Sequence, residues 1–166
     1  MGNDILVPSD KFIDAMSRVG NSVSVVTSDG SSGKVGITVS AVVSVTANPP
    51  SILICINDQS ESAEIIKNNG VFCVNFLNSS QKEVSDLFAG FTDISSDPFD
   101  HHNWKKLITD CPVLSDALAT FDCNISSTFK EGTHSVFIGR VVSASRGEGS
   151  PLIYSQRSYA KPDWIM

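Results

Sequence analysis

The chain has 166 residues, of which 41% are hydrophobic and 18% charged, with 18 acidic side chains against 12 basic ones and a formal net charge of -6. This is the composition of an ordinary globular domain, so a disordered or low-complexity chain is excluded. The acidic balance argues against nucleic acid or an anionic membrane as partner, since either needs a basic face.

In chain order, the first predicted element is a helix from Ser9 to Val19, with Phe12, Met16 and Val19 on one face, Ser9 as N-cap and Gly20 as its left-handed stop. A strand follows over Asn21–Thr27, and the turn SDGSSGK reverses the chain. The stretch GITVSAVVSVTANPP, Gly36 to Pro50, then alternates apolar Ile37, Val39, Ala41, Val43, Val45 and Ala47 with Thr38, Ser40, Val42, Ser44 and Thr46. On one strand this gives an oily face and a hydroxyl face, which either lines a ligand site or faces water. Asn48-Pro49-Pro50 ends it, because proline has no amide hydrogen to donate.

Ile52–Ile56 is wholly apolar and reads as a strand covered on both faces. Ser60 or Ser62 is expected to cap a short helix with Ile65 and Ile66 inside and Gly70 at its end. Val71–Leu77 is a further strand. Ser80-Gln81-Lys82-Glu83 fits a capping box before a helix carrying Val84, Leu87 and Phe88 and ending at Gly90. From Phe91 to Asp110 periodicity is lost, as in a lid or a dimer contact. Strands return over Ala119–Ile125, His134–Ser143 and Leu152–Tyr154. Connections this short suit antiparallel pairing, so the expected fold is mainly β: one domain over residues 1–166, a closed or partly closed barrel with a few peripheral helices.

The amino terminus, MGNDILVPSD, shows no secretory pattern, and no apolar run approaches the roughly 18 residues that span a bilayer. Cys55, Cys73, Cys111 and Cys123 form no Cys-x-x-Cys pair, and three of them sit in apolar strands. A reduced, cytoplasmic protein is expected.

Motifs for familiar chemistry are missing. His101-His102 beside Asp97 and Asp100 lacks further ligands at metal-site spacing, so no metal is expected. There is no Gly-x-Ser-x-Gly elbow and no Gly-rich phosphate loop. Two features fit an anionic, ring-bearing ligand: the hydroxyl row Thr38, Ser40 and Ser44, and Ser60 to Ser62 at a helix start, where free amides favour phosphate. Plain helix capping is the simpler reading of the second, because serine is among the commonest caps. His134 stands beside a turn in EGTHSVFIG, and histidine is the residue type suited to orienting a ligand or exchanging a proton near neutrality. A structural histidine with one backbone bond is the simpler reading.

Taken together, FIDAMSRVGNSVSVVTSDG, VGITVSAVVSVTANPPSILICIN, the spaced Ser60 and Ser62, NNGVFCVNFL, LFAGF, CPVLSDALATFDC, GTHSVFIGRVV and PLIYSQRSY occur in an order and spacing that resembles the short-chain flavin reductases. Those are the reductase components of two-component flavin monooxygenases, with an FMN-binding split β-barrel. The resemblance covers Phe12 to Tyr159 and implies NAD(P)H-dependent reduction of FMN or FAD by a homodimer that supplies a monooxygenase. It places Thr38, Ser40, Ala41, Ser44, Asn57, Ser60 and Ser62 along the flavin and Phe88 and Gly90 near the flavin or the partner subunit. It also places His134 at the nicotinamide and matches Tyr159 to the family's aromatic near the C-terminus, while Arg157 is of a kind that binds a dinucleotide phosphate. Two departures from the family pattern are Val39, where a smaller alanine is common, and Arg157, where a glycine is usual. A non-catalytic flavin carrier or redox sensor would use the same hydroxyl face, and only NAD(P)H oxidation separates the two.

Overall fold

Short β-rich runs cannot bury both their ladder edges and their apolar faces alone, and here they do so by curling one sheet on itself. The protein is described by a computed structural model over residues 6–165, and the first five residues of the amino-terminal reading lie outside the described residues. The elements are α1 (Ser9–Ser17), β1 (Asn21–Ser22), β2 (Ser24–Ser28), β3 (Val35–Val39), β4 (Val42–Ala47), β5 (Pro50–Asn57), α2 (Glu61–Asn69), β6 (Val71–Phe76) and α3 (Lys82–Phe88). A 3-10 turn (Pro98–His101), β7 (Trp104–Lys106), β8 (Pro112–Leu114), β9 (Ala119–Glu131), β10 (His134–Arg146), β11 (Ile153–Ser155) and β12 (Ser158–Ala160) complete the described chain.

Seven strands form one antiparallel sheet in the order β3-β2-β6-β9-β10-β5-β4. β3 and β4 are therefore opposite edges, yet only Ser40 and Ala41 join them. Two residues cannot cross a flat sheet of that width, so the sheet must close into a barrel. No ladder joins β3 to β4, which leaves the barrel split along that seam.

The barrel interior is filled by Val26, Ile54, Phe72, Val74 and Phe137, all fully buried. α2 plugs it with Ala63 and Ile66, and burying an isoleucine such as Ile66 stabilises by about 1.5–3 kcal/mol. Gly139 is required inside, because a Cβ there would lie 2.5 Å from the Phe72 ring. A second core outside the barrel joins Val25, Val84, Phe88, Leu114 and Leu152. β2 is thus buried on both faces, with Val26 in one core and Val25 in the other. The side chain of Asn75 accepts from Leu114 N–H at 2.8 Å and donates to the Val25 carbonyl at 3.1 Å, stitching β8 onto the barrel.

Several local expectations change. Ser9 opens α1 inside the helix, Pro8 is its cap without a side-chain bond, and the helix ends through Arg18 in the right-handed region before Gly20 is reached. α1 has no buried residue: its apolar Phe12, Ile13 and Met16 stay exposed. The strand expected over Asn21–Thr27 is interrupted at Val23, whose N–H binds the Leu152 carbonyl at 2.9 Å instead of continuing a ladder. β5 buries Ile52, Ile54 and Ile56 but leaves Leu53 and Cys55 half-buried, so it is covered fully on one face only. The expected capping box does not form: the cap of α3 is Gln81, without a side-chain bond, and its Oε1 instead accepts from Asn78 N–H at 2.9 Å while Ser80 bonds Asn78 in the preceding turn.

The largest change falls on Gly36–Pro50, which is two strands rather than one. The Ser40 carbonyl accepts from Val42 N–H at 3.1 Å, a tight kink that slips the alternation by one residue. Ile37, Val39 and Val42 pack on the interior, whereas Val43 and Val45 point outward, 59% and 48% exposed.

Candidate functional site

The register of β3 against β2 places Thr38 opposite Val25, on the outer face of the barrel beneath α3. Its hydroxyl donates to the Ser85 carbonyl at 2.7 Å, fixing the strand to the middle of the helix. The C-terminal hairpin approaches the same helix. Tyr154 and Tyr159 are register partners in β11 and β12, with rings 5.4 Å apart at 70°. The Tyr159 hydroxyl lies 2.9 Å from Ser85 Oγ and donates to Asp86 Oδ1 at 3.0 Å. Between these parts is a cavity of about 230 Å³ walled by Thr38, Val39, Ser40, Ser85, Tyr154 and Tyr159, with Val23, Ala89 and Phe91 at its margins. Aromatic faces with a hydroxyl edge suit a flat, hydrogen-bonding ring.

Charges around the cavity are ordered by α3. Lys82 pairs with Asp86 one helical turn away, and the ammonium beside it holds the Asp86 carboxyl below the usual carboxylate range. Burial raises the Tyr159 phenol above its ordinary value, so at neutral pH it remains a hydrogen-bond donor to that carboxylate. A carboxylate depressed in the folded state contributes stability above its unfolded value and loses it as pH falls through the folded one. The Asp86 contact thus persists at neutrality and is released only as the pH falls below the usual carboxylate range.

A second cluster sits across the seam. Cys55 N–H donates to the Ala41 carbonyl at 3.1 Å, so the end of β5 lies beside the β3–β4 link. Two residues further on, Asn57 is the register partner of His134 in β10. Asn57 Oδ1 accepts from Gln59 N–H at 3.0 Å, and His134 Nδ1 lies 3.1 Å from Thr133 Oγ1. Ser60 caps α2 by accepting from Ser62 N–H at 3.3 Å, and Ser62 itself is buried. The capping role read for Ser60 is therefore realised in the structure. Asp58 is held by Ser135 and Lys130, which keep its carboxyl below the usual range.

Of the residues singled out in the sequence, Thr38, Ser40 and Tyr159 meet in the cavity, while Ala41, Asn57, Ser60, Ser62 and His134 gather on the other lip of the seam. Ser44 is exposed in β4 opposite Ile52. Phe88 is a core residue, 5.1 Å from Phe99 and 5.5 Å from Trp104 by ring centroids. Gly90 ends α3 with φ of 75°, the left-handed role expected of it. Arg157 is exposed at the tip of the β11–β12 hairpin. Sequence reasoning missed Tyr154, Lys82, Ser85 and Asp86. The last three recur at helical i, i+3, i+4 spacing, which was legible, but their partner Tyr159 is 73 residues from Asp86.

Residues 16–163 match the family model described as flavin reductase like domain. The chain is 41% identical over 160 residues to the FMN reductase (NADH) RutF of Acinetobacter baylyi, covering 96% of this chain and 85% of that protein. Among solved structures, flavin reductase PheA2 in its native state superposes with a TM-score of 0.87 at 28% identity, over 95% of this chain and 100% of that one. BorF, the flavin reductase component of a bacterial two-component tryptophan halogenase, does so with a TM-score of 0.85 at 28% identity, over 95% of this chain and 100% of that one.

Proposed function

The chain belongs to the flavin reductase like domain family, and from that premise we propose that it is an NADH-dependent FMN reductase which hands reduced flavin to a flavin-dependent monooxygenase. The observation that carries this reading is the aromatic and hydroxyl cavity opening beside the unpaired seam of the barrel. The residues present fit a flavin: two tyrosines offer ring faces, Thr38 and Ser40 offer an oxygen edge, and the capped start of α2 lies on the far lip for a phosphate. When bound, the flavin supplies the hydride-accepting chemistry.

The chain's own residues bind and orient. Thr38, Ser40 and Ala41 line the seam, and Ser44 stands further along β4 as an exposed hydroxyl outside the cavity. Asn57, Ser60 and Ser62 offer donors at the phosphate end, and Gly90 lets the chain turn beneath the cavity beside Phe88. His134, held to the ladder opposite Asn57, orients the nicotinamide or carries a proton through its outer ring nitrogen. Holding both rings in contact makes the transfer close to unimolecular. Arg157, at the tip of the hairpin that carries Tyr159, offers its guanidinium to a dinucleotide phosphate.

Two copies of the chain form the working unit in this reading. The apolar face of α1 and the outward Val43 and Val45 have no cover from the described residues, which is what a face buried by an identical partner presents. We read the whole chain as one reductase unit, working in the cytoplasm, where thiols such as Cys73, Cys111 and Cys123, buried and raised in pKa, stay reduced. No described helix is long and apolar enough to cross a membrane.

One assay tests the function: oxidation of NADH and of NADPH by the purified chain, each with FMN, FAD or riboflavin added. NADH with FMN is expected to turn over fastest. Flavin binding without any flavin-dependent oxidation would instead mark a carrier. His134→Ala is expected to lower NADH turnover on the order of a hundredfold while leaving FMN affinity nearly unchanged, and unchanged steady-state kinetics would remove His134 from the mechanism.

A further inference from the structure

α3 presents three polar side chains to a single phenol, whose ring also packs against the second core. Lys82, Ser85 and Asp86 are spaced i, i+3, i+4 and so share one helix face. Asp86, as a carboxylate, only accepts, and it takes the Tyr159 proton at Oδ1, 3.0 Å away. Since that proton is committed, Ser85 Oγ at 2.9 Å donates its own to the phenol oxygen. Lys82 donates to the other Asp86 oxygen, and its ammonium stands 5.1 Å from the Tyr159 ring centroid. The phenol is thus fixed in position, rotation and donor direction. The same Ser85 holds the opposite wall, because its carbonyl takes the Thr38 hydroxyl at 2.7 Å.

We propose that Lys82, Ser85 and Asp86 are positioning residues that lock the Tyr159 ring as the wall on which a planar heteroaromatic ring packs in the 230 Å³ cavity. This rests on the reductase reading and deepens it, since flavin and nicotinamide are the two rings of that chemistry. A wall fixed before binding spares the ligand the cost of ordering it, so the clamp acts on affinity more than on the chemical step.

The test is a double-mutant cycle between Asp86→Ala and Tyr159→Phe, with Ser85→Ala beside it, read by FMN dissociation constant from flavin fluorescence quenching and by NADH KM at saturating FMN. Each single variant is expected to raise one of these by about threefold to tenfold with kcat changed less than about twofold, and the double variant is expected to be no worse than Tyr159→Phe alone. A change in FMN dissociation constant identifies the ring as flavin, and a change in NADH KM alone identifies it as nicotinamide. Asp86→Asn, which keeps the shape and an acceptor oxygen, should retain most of the affinity, and Ser85→Ala with Tyr159→Phe carries the cycle if Asp86→Ala does not fold. The proposal falls if Asp86→Ala keeps its full effect on the Tyr159→Phe background, which would place its role in α3 itself, or if neither parameter moves in variants that turn over normally. A wild-type chain that neither quenches FMN nor oxidises NADH would overturn the reductase reading together with the clamp.

Discussion

β3 and β4 come from one run of alternating valines and hydroxyls, yet they live in different surroundings. β3 lies under α2 and α3, and its apolar side chains are packed on the barrel interior. β4 pairs with β5 on one side only, and five of its six residues are exposed. The two-residue link at Ser40-Ala41 kinks the chain without reversing it and sends each half to an opposite edge of the sheet. Alternation therefore defines two faces of a strand, but the element packed against each face decides which is buried. Placing the hydroxyls at this seam, and not along one continuous wall, is what brings Thr38 and Ser40 into a cavity while leaving Ser44 outside it.

The sharpest way to break the comparison is to crowd the covered half. A Cβ on Gly36 would sit 2.5 Å from the Phe88 ring and 3.1 Å from Phe99, so Gly36→Ala must displace an aromatic cluster. It is expected to destabilise by about 1–3 kcal/mol, seen as a lower urea midpoint with an unchanged slope. A loss within about 0.5 kcal/mol, the range of an ordinary surface change, would mean that β3 is no better covered than β4. In the exposed half, Val43→Asp places a charge where the side chain is 59% exposed. The fold is expected to survive, with its near-ultraviolet circular dichroism retained, while sedimentation shifts from a dimer to a monomer. Wild-type sedimentation of this variant would move the pairing face away from β4.

Much of this was legible locally. Ser60 caps α2 and Gly70 ends it with φ of 73°, because those residues act through their own backbone neighbours. The alternation of β9 and the apolar run of β5 likewise mark strands without knowledge of their partners. What failed depended on competition or on distance. Ser80 and Glu83 fit a capping box, but Ser80 and Gln81 bond Asn78 in the preceding turn instead. The face of α1 is amphipathic, and its pattern says nothing about whether the covering surface is in the same chain. For the site, Thr38, Ser40 and Tyr159 were named and do meet, and Asn57 and His134 prove to be ladder partners. The shared face of Ser85 and Asp86 was legible but its partner Tyr159 was not, because a helix face states only that something opposes it.

The hairpin that carries Tyr159 to the β3 side of the seam gives the finest version of the comparison. Its loop is two residues long, Gln156 and Arg157, both left-handed at φ of 51° and 59°. Neither has glycine's freedom there, and a non-glycine residue in that region costs about 1–2 kcal/mol. The loop is nonetheless held, since Gln156 N–H donates to the Ser17 carbonyl at 2.6 Å and ties the hairpin to the end of α1. Arg157→Gly relieves the strain but gives the unfolded chain more freedom, about 0.4–1 kcal/mol by the reverse of replacing glycine. The net expectation is a gain of about 0–1.6 kcal/mol, read as a urea midpoint that is unchanged or raised. Strain that persists at a hairpin tip beside a ligand cavity is consistent with a retained function. NADH KM is therefore expected to rise severalfold in the same variant, and the rise should shrink at high salt because a guanidinium acting on a phosphate is screened. A variant at least as stable, with unchanged KM at low salt, would strip Arg157 of its dinucleotide role and leave Tyr159 as the hairpin's only contribution to the cavity beside β3.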